Sequence, residues 1–397
     1  MRRILTTIIF ISLLAHPSFA DRIKLQDGRV LTGHIKEETK DFVKLDFGIG
    51  VPLTYYRDQI KQMSKEDSAF QFPLDHGKHK DVVVEWWHFS GTLQSRNNEN
   101  FGYEFVIFKF YLQKQGVNLY FGQLSVSDLQ TSNLYFLENF NYTPSAELNS
   151  PGNIVTASNF SFDFSNPKIF YLKVKTDELS LEAALASQRE IMIHGEKGNI
   201  LMGAGTGSAY YSLTNMATEA KLKVSSTEYP GLLGRTWMDH QWGNFQLSDL
   251  FYDWFSIRLN DGRSLMAYCF RDRNDQIIKT IWTWGDEDGF PLKGEDLTIL
   301  AKRNFAASQS NSNFPIEWTM TVPSLEATFE IKPFFDNQST PYYWEGLSSV
   351  EGTIAGKKVS GNAYVQMTGY ETSNKGDSFI KLFNNAFESF RKKAGKP

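Results

Sequence analysis

The chain repeats itself, and that constrains its fold more than any other feature. Asp75-His76-Gly77, then Glu85-Trp86, a strand-like stretch, a polar turn and Tyr103-Glu104-Phe105 return later in the same order. The second series is Met238-Asp239-His240, Gly243, Asp253-Trp254, the turn Asn260-Asp261-Gly262 and Ala267-Tyr268-Cys269-Phe270. The closing segments also agree, Gly207-Ser208-Ala209-Tyr210-Tyr211 with Gly361-Asn362-Ala363-Tyr364-Val365. The offsets are 164, 168 and 154 residues at the Asp-His pair, Trp86/Trp254 and Gly207/Gly361. The intervals are short runs of β-branched and aromatic residues broken by turn residues, a strand signature. An all-β chain follows, with two tandem antiparallel barrel domains over 67–222 and 223–373. Closure limits exposed strand edges. A barrel of about eight strands can enclose one small ligand. The 32 Phe, 17 Tyr and 9 Trp suit such a lining, although most of them must fill ordinary core.

Three segments flank this body. Arg2 and Arg3, the mainly apolar run Ile4–Ala15 and the small-x-small pattern at Ser18-Phe19-Ala20 read as an export signal over 1–20, cleaved after Ala20. A periplasmic or secreted protein is expected. Residues 21–66 alternate apolar and polar around the hairpin signal Asp27-Gly28 and read as a small SH3-like β module or an added sheet. In 374–397, Phe379, Phe383, Ala386, Phe387 and Phe390 recur at helical spacing before Arg391, Lys392 and Lys393. That is an amphipathic helix with a basic end, which packs on the body or touches anionic lipid.

Composition removes several function classes. A formal charge of −4 offers no basic excess for nucleic acid. The single cysteine, Cys269, rules out an intrachain disulfide and a cysteine zinc cluster. No Gly-x-Ser-x-Gly elbow, phosphate loop or dinucleotide fingerprint occurs, so no cofactor is expected.

Two polar clusters remain. One holds Asp75, His76, His79, Glu85, Trp86, Trp87 and His88; the other holds Trp237, Asp239, His240, Gln241 and Trp242. A carboxyl group buried among tryptophans has a raised pKa and can donate a proton near neutrality. Asp239, Asp75 and Glu85, with His240 and His76, are therefore the candidate catalytic groups. Trp86, Trp87, Trp237, Trp242, Tyr268 and Tyr211 are candidates for substrate contact. Neighbours on a strand point to opposite faces, so Asp239 and His240 share a pocket only at a turn or bulge. His76, His79 and Glu85 are the alternative metal ligand set. The remaining alternative is structural: these groups hydrogen-bond the two halves together.

The combination Phe72-Pro73-x-Asp75-His76-Gly77-x-His79, Glu85-Trp86-Trp87 and Trp237-Met238-Asp239-His240-x-Trp242-Gly243 resembles the hydroxyneurosporene synthase (carotenoid 1,2-hydratase) and AttH-type family. The closing Thr368-Gly369-Tyr370 is also similar. The resemblance spans residues 69–373 and implies two lipocalin-like domains. It further implies cofactor-free addition of water to an alkene, in which an acid protonates the double bond, aromatic faces stabilise the cation, and water captures it. Gln241, Gln366 and His88 depart from the family pattern. The expected partner is an elongated apolar lipid or isoprenoid. The alternatives are a non-catalytic carrier or a metal-dependent secreted hydrolase.

Overall fold

The computed structural model describes residues 21–47, 51–64, 70–80, 82–112, 116–144, 153–202, 206–245, 251–286 and 290–371. The expected leader and the expected C-terminal helix lie outside them. The chain divides into two compact units, 1–67 and 68–397.

The first unit is a five-stranded antiparallel sheet: β1 (Asp21–Leu25), β2 (Val30–Glu38), β3 (Phe42–Asp46), β4 (Leu53–Tyr56) and β5 (Ile60–Ser64). Its order is β4-β3-β2-β1-β5, so β4 and β5 are the edges of an open sheet. Ile23, Leu25 and Leu45 form its small core, as their alternation with polar neighbours requires.

The second unit holds two larger antiparallel sheets. The first contains β6 (Val84–Gln94), β7 (Asn100–Leu112), β8 (Val117–Asp128), β9 (Asn133–Pro144), β10 (Ile154–Ala157), β11 (Phe160–Asn166), β12 (Ile169–Lys175), β13 (Leu179–Ser187), β14 (Met192–Ile193), β15 (Asn199–Met202), β16 (Thr206–Val224) and β17 (Thr227–Gly243). Its order is β10-β11-β12-β13-β16-β17-β6-β7-β8-β9, with β14 and β15 also paired to β16. The second contains β18 (Phe251–Leu259), β19 (Ser264–Arg271), β20 (Ile277–Gly285), β21 (Leu292–Gly294), β22 (Thr298–Ala307), β23 (Ser312–Val322), β24 (Ala327–Pro333), β25 (Trp344–Ile354) and β26 (Lys357–Met367). Its order is β21-β20-β19-β18-β26-β25-β24-β23-β22. The break placed at 222/223 thus falls among the last residues of β16 that pair with β17, inside the first sheet. Hydrogen bonding carries the first sheet on to Gly243.

Burial shows how the sheets are used. In β13, Leu179, Leu181, Ala183 and Leu185 point inward while Glu182 is exposed, the period of a sheet with one wet face. β6, β7 and β8 lose that alternation and are buried on both faces. Their inner face meets the core of the first sheet, with Trp87, Phe89, Phe105, Phe160 and Phe162. Their outer face joins a second cluster with residues of the other sheet, including Trp86, Val106, Trp254, Tyr268 and Tyr364. Phe255, Trp318, Trp344 and Val365 fill the interior of the second sheet. The phenylalanines of the first interior thus fill ordinary core, as expected of most of the aromatic residues. The polar residues gather elsewhere.

Candidate active site

β17 sorts the second motif onto two faces. Trp237, Asp239 and Gln241 face the seam between the two sheets, whereas Met238, His240 and Trp242 face the other way. There is no bulge at Asp239 and His240: they pair in unbroken register with His88 and Trp87 of β6. The expectation that they act together is overturned by the two-residue period of a strand. The two expected clusters mix, each giving one half to the inner side and one half to the seam.

The inner cluster is an ion network. Asp75 and His76 sit on a 3-10 turn, Leu74–His76, ahead of β6. Glu85 is fully buried. Its Oε1 lies 2.7 Å from His79 Nδ1 and 3.1 Å from His240 Nε2, and its Oε2 accepts from Lys109 Nζ at 3.1 Å. Burial pushes the Glu85 carboxyl up, but the two imidazoles and the Lys109 ammonium outweigh it and hold the group at about 2. For His79 burial also opposes charge, yet Asp75 and Glu85 raise it to about 9. Asp75 Oδ1 is 3.3 Å from His79 Nε2. His240 Nδ1 donates to the Asp75 carbonyl at 2.9 Å. Trp242 stacks on His79 at 3.8 Å, and Trp87 stacks on His240 at 4.9 Å.

The atoms of His79, Glu85 and His240 converge within 4.8 Å, so this trio replaces the expected His76, His79 and Glu85. His76 turns away. Its Nδ1 is 2.6 Å from the Tyr211 hydroxyl, and burial among aromatic rings pulls its pKa down to about 3. The charges of Asp75 and Glu85 are balanced by His79 and Lys109. A divalent cation here would have to displace the His79 proton and sit beside an ammonium. These residues fit a structural network better than a metal centre.

The seam cluster is the better place for chemistry. Ser212, Asp239 and His88 occupy successive strands β16, β17 and β6 in direct register. Opposite them stands a row from the second sheet: Tyr268, Trp254, Gln366 and Glu345 on β19, β18, β26 and β25. The rows flank a cavity of about 20 Å³, lined by Trp86, His88, Asp239, Trp254, Tyr268 and Gln366 among others. That is room for a single water, so any larger guest must displace the aromatic walls.

Each polar group there is held from behind. His88 Nε2 donates to Glu345 Oε1 at 2.6 Å; Gln366 Nε2 donates to Glu345 Oε2 at 2.6 Å; the Tyr252 hydroxyl donates to Gln366 Oε1 at 2.6 Å. His88 Nδ1 has no partner among the described residues. Burial disfavours the imidazolium, but Glu345 outweighs it and raises His88 to about 9. Glu104 nearby is pushed well above the carboxylate range by burial and the Glu345 charge. Asp239 accepts from Trp237 Nε1 at 2.7 Å, from the Tyr210 hydroxyl at 2.9 Å and from Ser212 Oγ. Ser212 in turn is 2.6 Å from His194 Nε2. Burial raises Asp239 to about 6 in spite of those donors and the His88 charge. Tyr268 reaches Gln241 Oε1 at 3.3 Å.

Of the residues expected at the site, Asp239, Trp86 and Tyr268 line the seam cavity, and Trp237 supports Asp239. Asp75, His76, Glu85, His240, Trp87, Trp242 and Tyr211 belong to the inner network. Sequence reasoning passed over Glu345, Tyr252 and Tyr343. It placed His88 in the first polar cluster without giving it a catalytic role and noted Gln366 only as a departure from a pattern, and both line the cavity. The available signal was a charged or imidazole side chain inside an otherwise apolar strand, as at His88, Glu104 and Glu345.

A two-sheet β protein with a buried acid–imidazole pair at the sheet seam defines the class. The AttH-like family model matches residues 63–370, and the chain belongs to that family, as its motifs implied. A dehydratase of Emericella nidulans, asqC, is 21% identical over 277 residues, 62% of this chain and 74% of that one. An AttH-type protein of Nitrosomonas europaea shares the fold with a TM-score of 0.67 and 22% identity, over 76% of this chain and 98% of that one. Kievitone hydratase of Nectria haematococca gives 0.62 and 17%, over 75% and 93%.

Proposed function

We propose that this protein is a cofactor-free hydro-lyase, which adds water across, or removes it from, a carbon–carbon bond of an apolar, isoprenoid-like molecule in the seam cavity. The observation that carries the reading is the Asp239–His88 pair. Two groups titrating on opposite sides of neutrality face one aromatic-walled space. At neutral pH the pair rests as carboxylate and imidazolium. That is the state elimination needs: Asp239 removes a carbon-bound proton while His88 Nδ1–H protonates the departing hydroxyl, so that water leaves and the double bond forms. Hydration runs the same path backwards. A protonated Asp239 gives its proton to the alkene, and neutral His88 takes one from the attacking water. The walls of Trp86, Trp254 and Tyr268 offer π-faces to a developing cation. The names of the fungal relatives, a hydratase and a dehydratase, agree with both directions.

The test is solvent exchange. A panel of acyclic prenyl tertiary alcohols and their alkenes is incubated in oxygen-18 water, and the label is read by mass spectrometry. Incorporation by the native protein that Asp239→Asn abolishes supports the reading. Incorporation undiminished in that variant removes Asp239 from the chemistry. The reading of residues 1–20 as an export signal supports a location outside the cytoplasm as part of the same proposal.

A further inference from the structure

A second cavity, of about 330 Å³, lies along the same seam and is lined by Arg189, Arg235, Arg258 and Arg263. Arg235 is four residues before Asp239 on β17, and Arg258 four residues after Trp254 on β18. At strand rise this places it roughly 13 Å from the first cavity. Among the described residues Asp261 is the only carboxylate in the lining, and it is paired with Arg263 at 2.7 Å. The other three guanidiniums have no carboxylate at ion-pair distance among the described residues. Arg189 Nη1 donates to the Asp286 carbonyl at 2.9 Å, and Arg235 Nη1 to Asn215 Oδ1 at 2.8 Å. Both partners are neutral. Arg258 Nη1 is buried without any partner. Gly262, at φ +91°, leaves the space that Arg189 uses: a Cβ there would stand 2.5 Å from its Nη2. Thr92, Thr214 and Asn362 add neutral polar groups to the wall.

Three like charges held around one hollow repel one another, and a buried donor without a partner is unfavourable. Both penalties vanish if an anion of matching charge occupies the space. Guanidinium forks fit the oxygens of a phosphate bidentately. A cavity of this volume exceeds what a monatomic ion needs and falls in the range of small-molecule sites. In a chain with a formal charge of −4, this local surplus of cations is the exception. We propose that the arginine cavity binds a small phosphorylated anion carrying two or more charges, of the diphosphate or phosphomonoester class.

The probe is inorganic pyrophosphate, titrated calorimetrically into the full chain. Saturable one-to-one binding is expected. It should weaken at least about tenfold in Arg235→Gln and in Arg189→Gln, and it should fall steeply with added salt. Neither variant empties a packed core, and unchanged melting temperatures verify the fold. No binding at millimolar pyrophosphate, or the native affinity in both variants, overturns the proposal. Phosphatidylcholine vesicles carrying phosphatidic acid identify the source. Capture that pyrophosphate competes away assigns the site to a lipid headgroup. Absence of capture, or capture that pyrophosphate leaves untouched, assigns it to a soluble phosphate.

Discussion

His88 and Asp239 stand directly opposite each other on β6 and β17, with their side chains on the face turned toward the second sheet. Cross-strand partners have Cβ atoms about 5 Å apart. The pair is therefore fixed by backbone register and not by loop geometry. A one-residue slip of either strand would send its group to the opposite face and separate the pair.

The pair predicts a bell-shaped rate profile. Elimination needs Asp239 unprotonated and His88 protonated. Hydration needs the same total number of protons, placed the other way round. In either direction kcat/KM should rise with pH through about 6, level off, and fall through about 9. Asp239→Asn should reduce turnover by about 10²-fold or more. Asp239 also sets a sign for stability. Its folded pKa lies above its unfolded value of 3.8, so its contribution is fully present below 3.8 and is lost as pH rises through about 6. The Asn variant should therefore lose that pH dependence in urea titrations between those values.

His88 and Glu345 join the two sheets through one hydrogen bond at a buried site. Removing the imidazole alone, as in His88→Phe, leaves a buried carboxylate without its cation. The expected loss is about 3–5 kcal/mol. His88→Phe combined with Glu345→Gln should recover much of that loss, because no uncompensated charge remains. A double-mutant cycle by urea unfolding measures the coupling. Additive losses would show that the pair contributes nothing as a pair.

The inner network makes a different prediction. Glu85 has a folded pKa below its unfolded value of 4.5, so its stabilisation is present above 4.5 and is lost as pH falls through about 2. Glu85→Gln should flatten the acid limb of stability and cost about 3–5 kcal/mol at neutral pH, since Lys109 and His79 lose their counter-charge. Chelators should leave the melting temperature of the native protein unchanged. A drop on chelation that Glu85→Gln abolishes would make His79, Glu85 and His240 metal ligands after all.

Much of this was legible in the chain. The repeat and the strand signals pointed to an all-β molecule with two tandem barrel domains, and the body holds two large antiparallel sheets. The period of two already warned that Asp239 and His240 face apart. What could not be read was which sheet owns 227–243, because β17 is the last strand of the first sheet while its motif precedes the second copy. The Asp-His pairs match at an offset of 164 residues, yet one lies on a 3-10 turn and the other mid-strand. Local residue identity does not report strand ownership. Glu345 was invisible as a partner of His88 because 257 residues separate them and only sheet packing brings them together. The doubly buried strands did carry a signal: β6 and β7 place Glu85, His88, Glu104 and Lys109 within apolar runs, where a charge needs a partner.

The seam itself can be tested at Gly102 of β7. A Cβ there would stand 2.6 Å from the Tyr364 hydroxyl and 3.1 Å from Leu347 Cδ2, both on the second sheet. Tyr364 and Leu347 are buried, so neither can swing into solvent. Gly102→Ala should therefore push the sheets apart locally and cost about 1–3 kcal/mol, the usual range for overpacking. Glycine's greater chain entropy in the unfolded state works the other way by less than about 1 kcal/mol, so the net sign is destabilising. Reactivity of Cys269 provides the readout. This thiol is buried in the second sheet, and burial holds its pKa well above the usual value. It reacts only when that sheet opens. Thiol labelling in mild urea should be faster in Gly102→Ala than in the native protein. Equal labelling rates would show that the second sheet keeps its stability without close contact to the first.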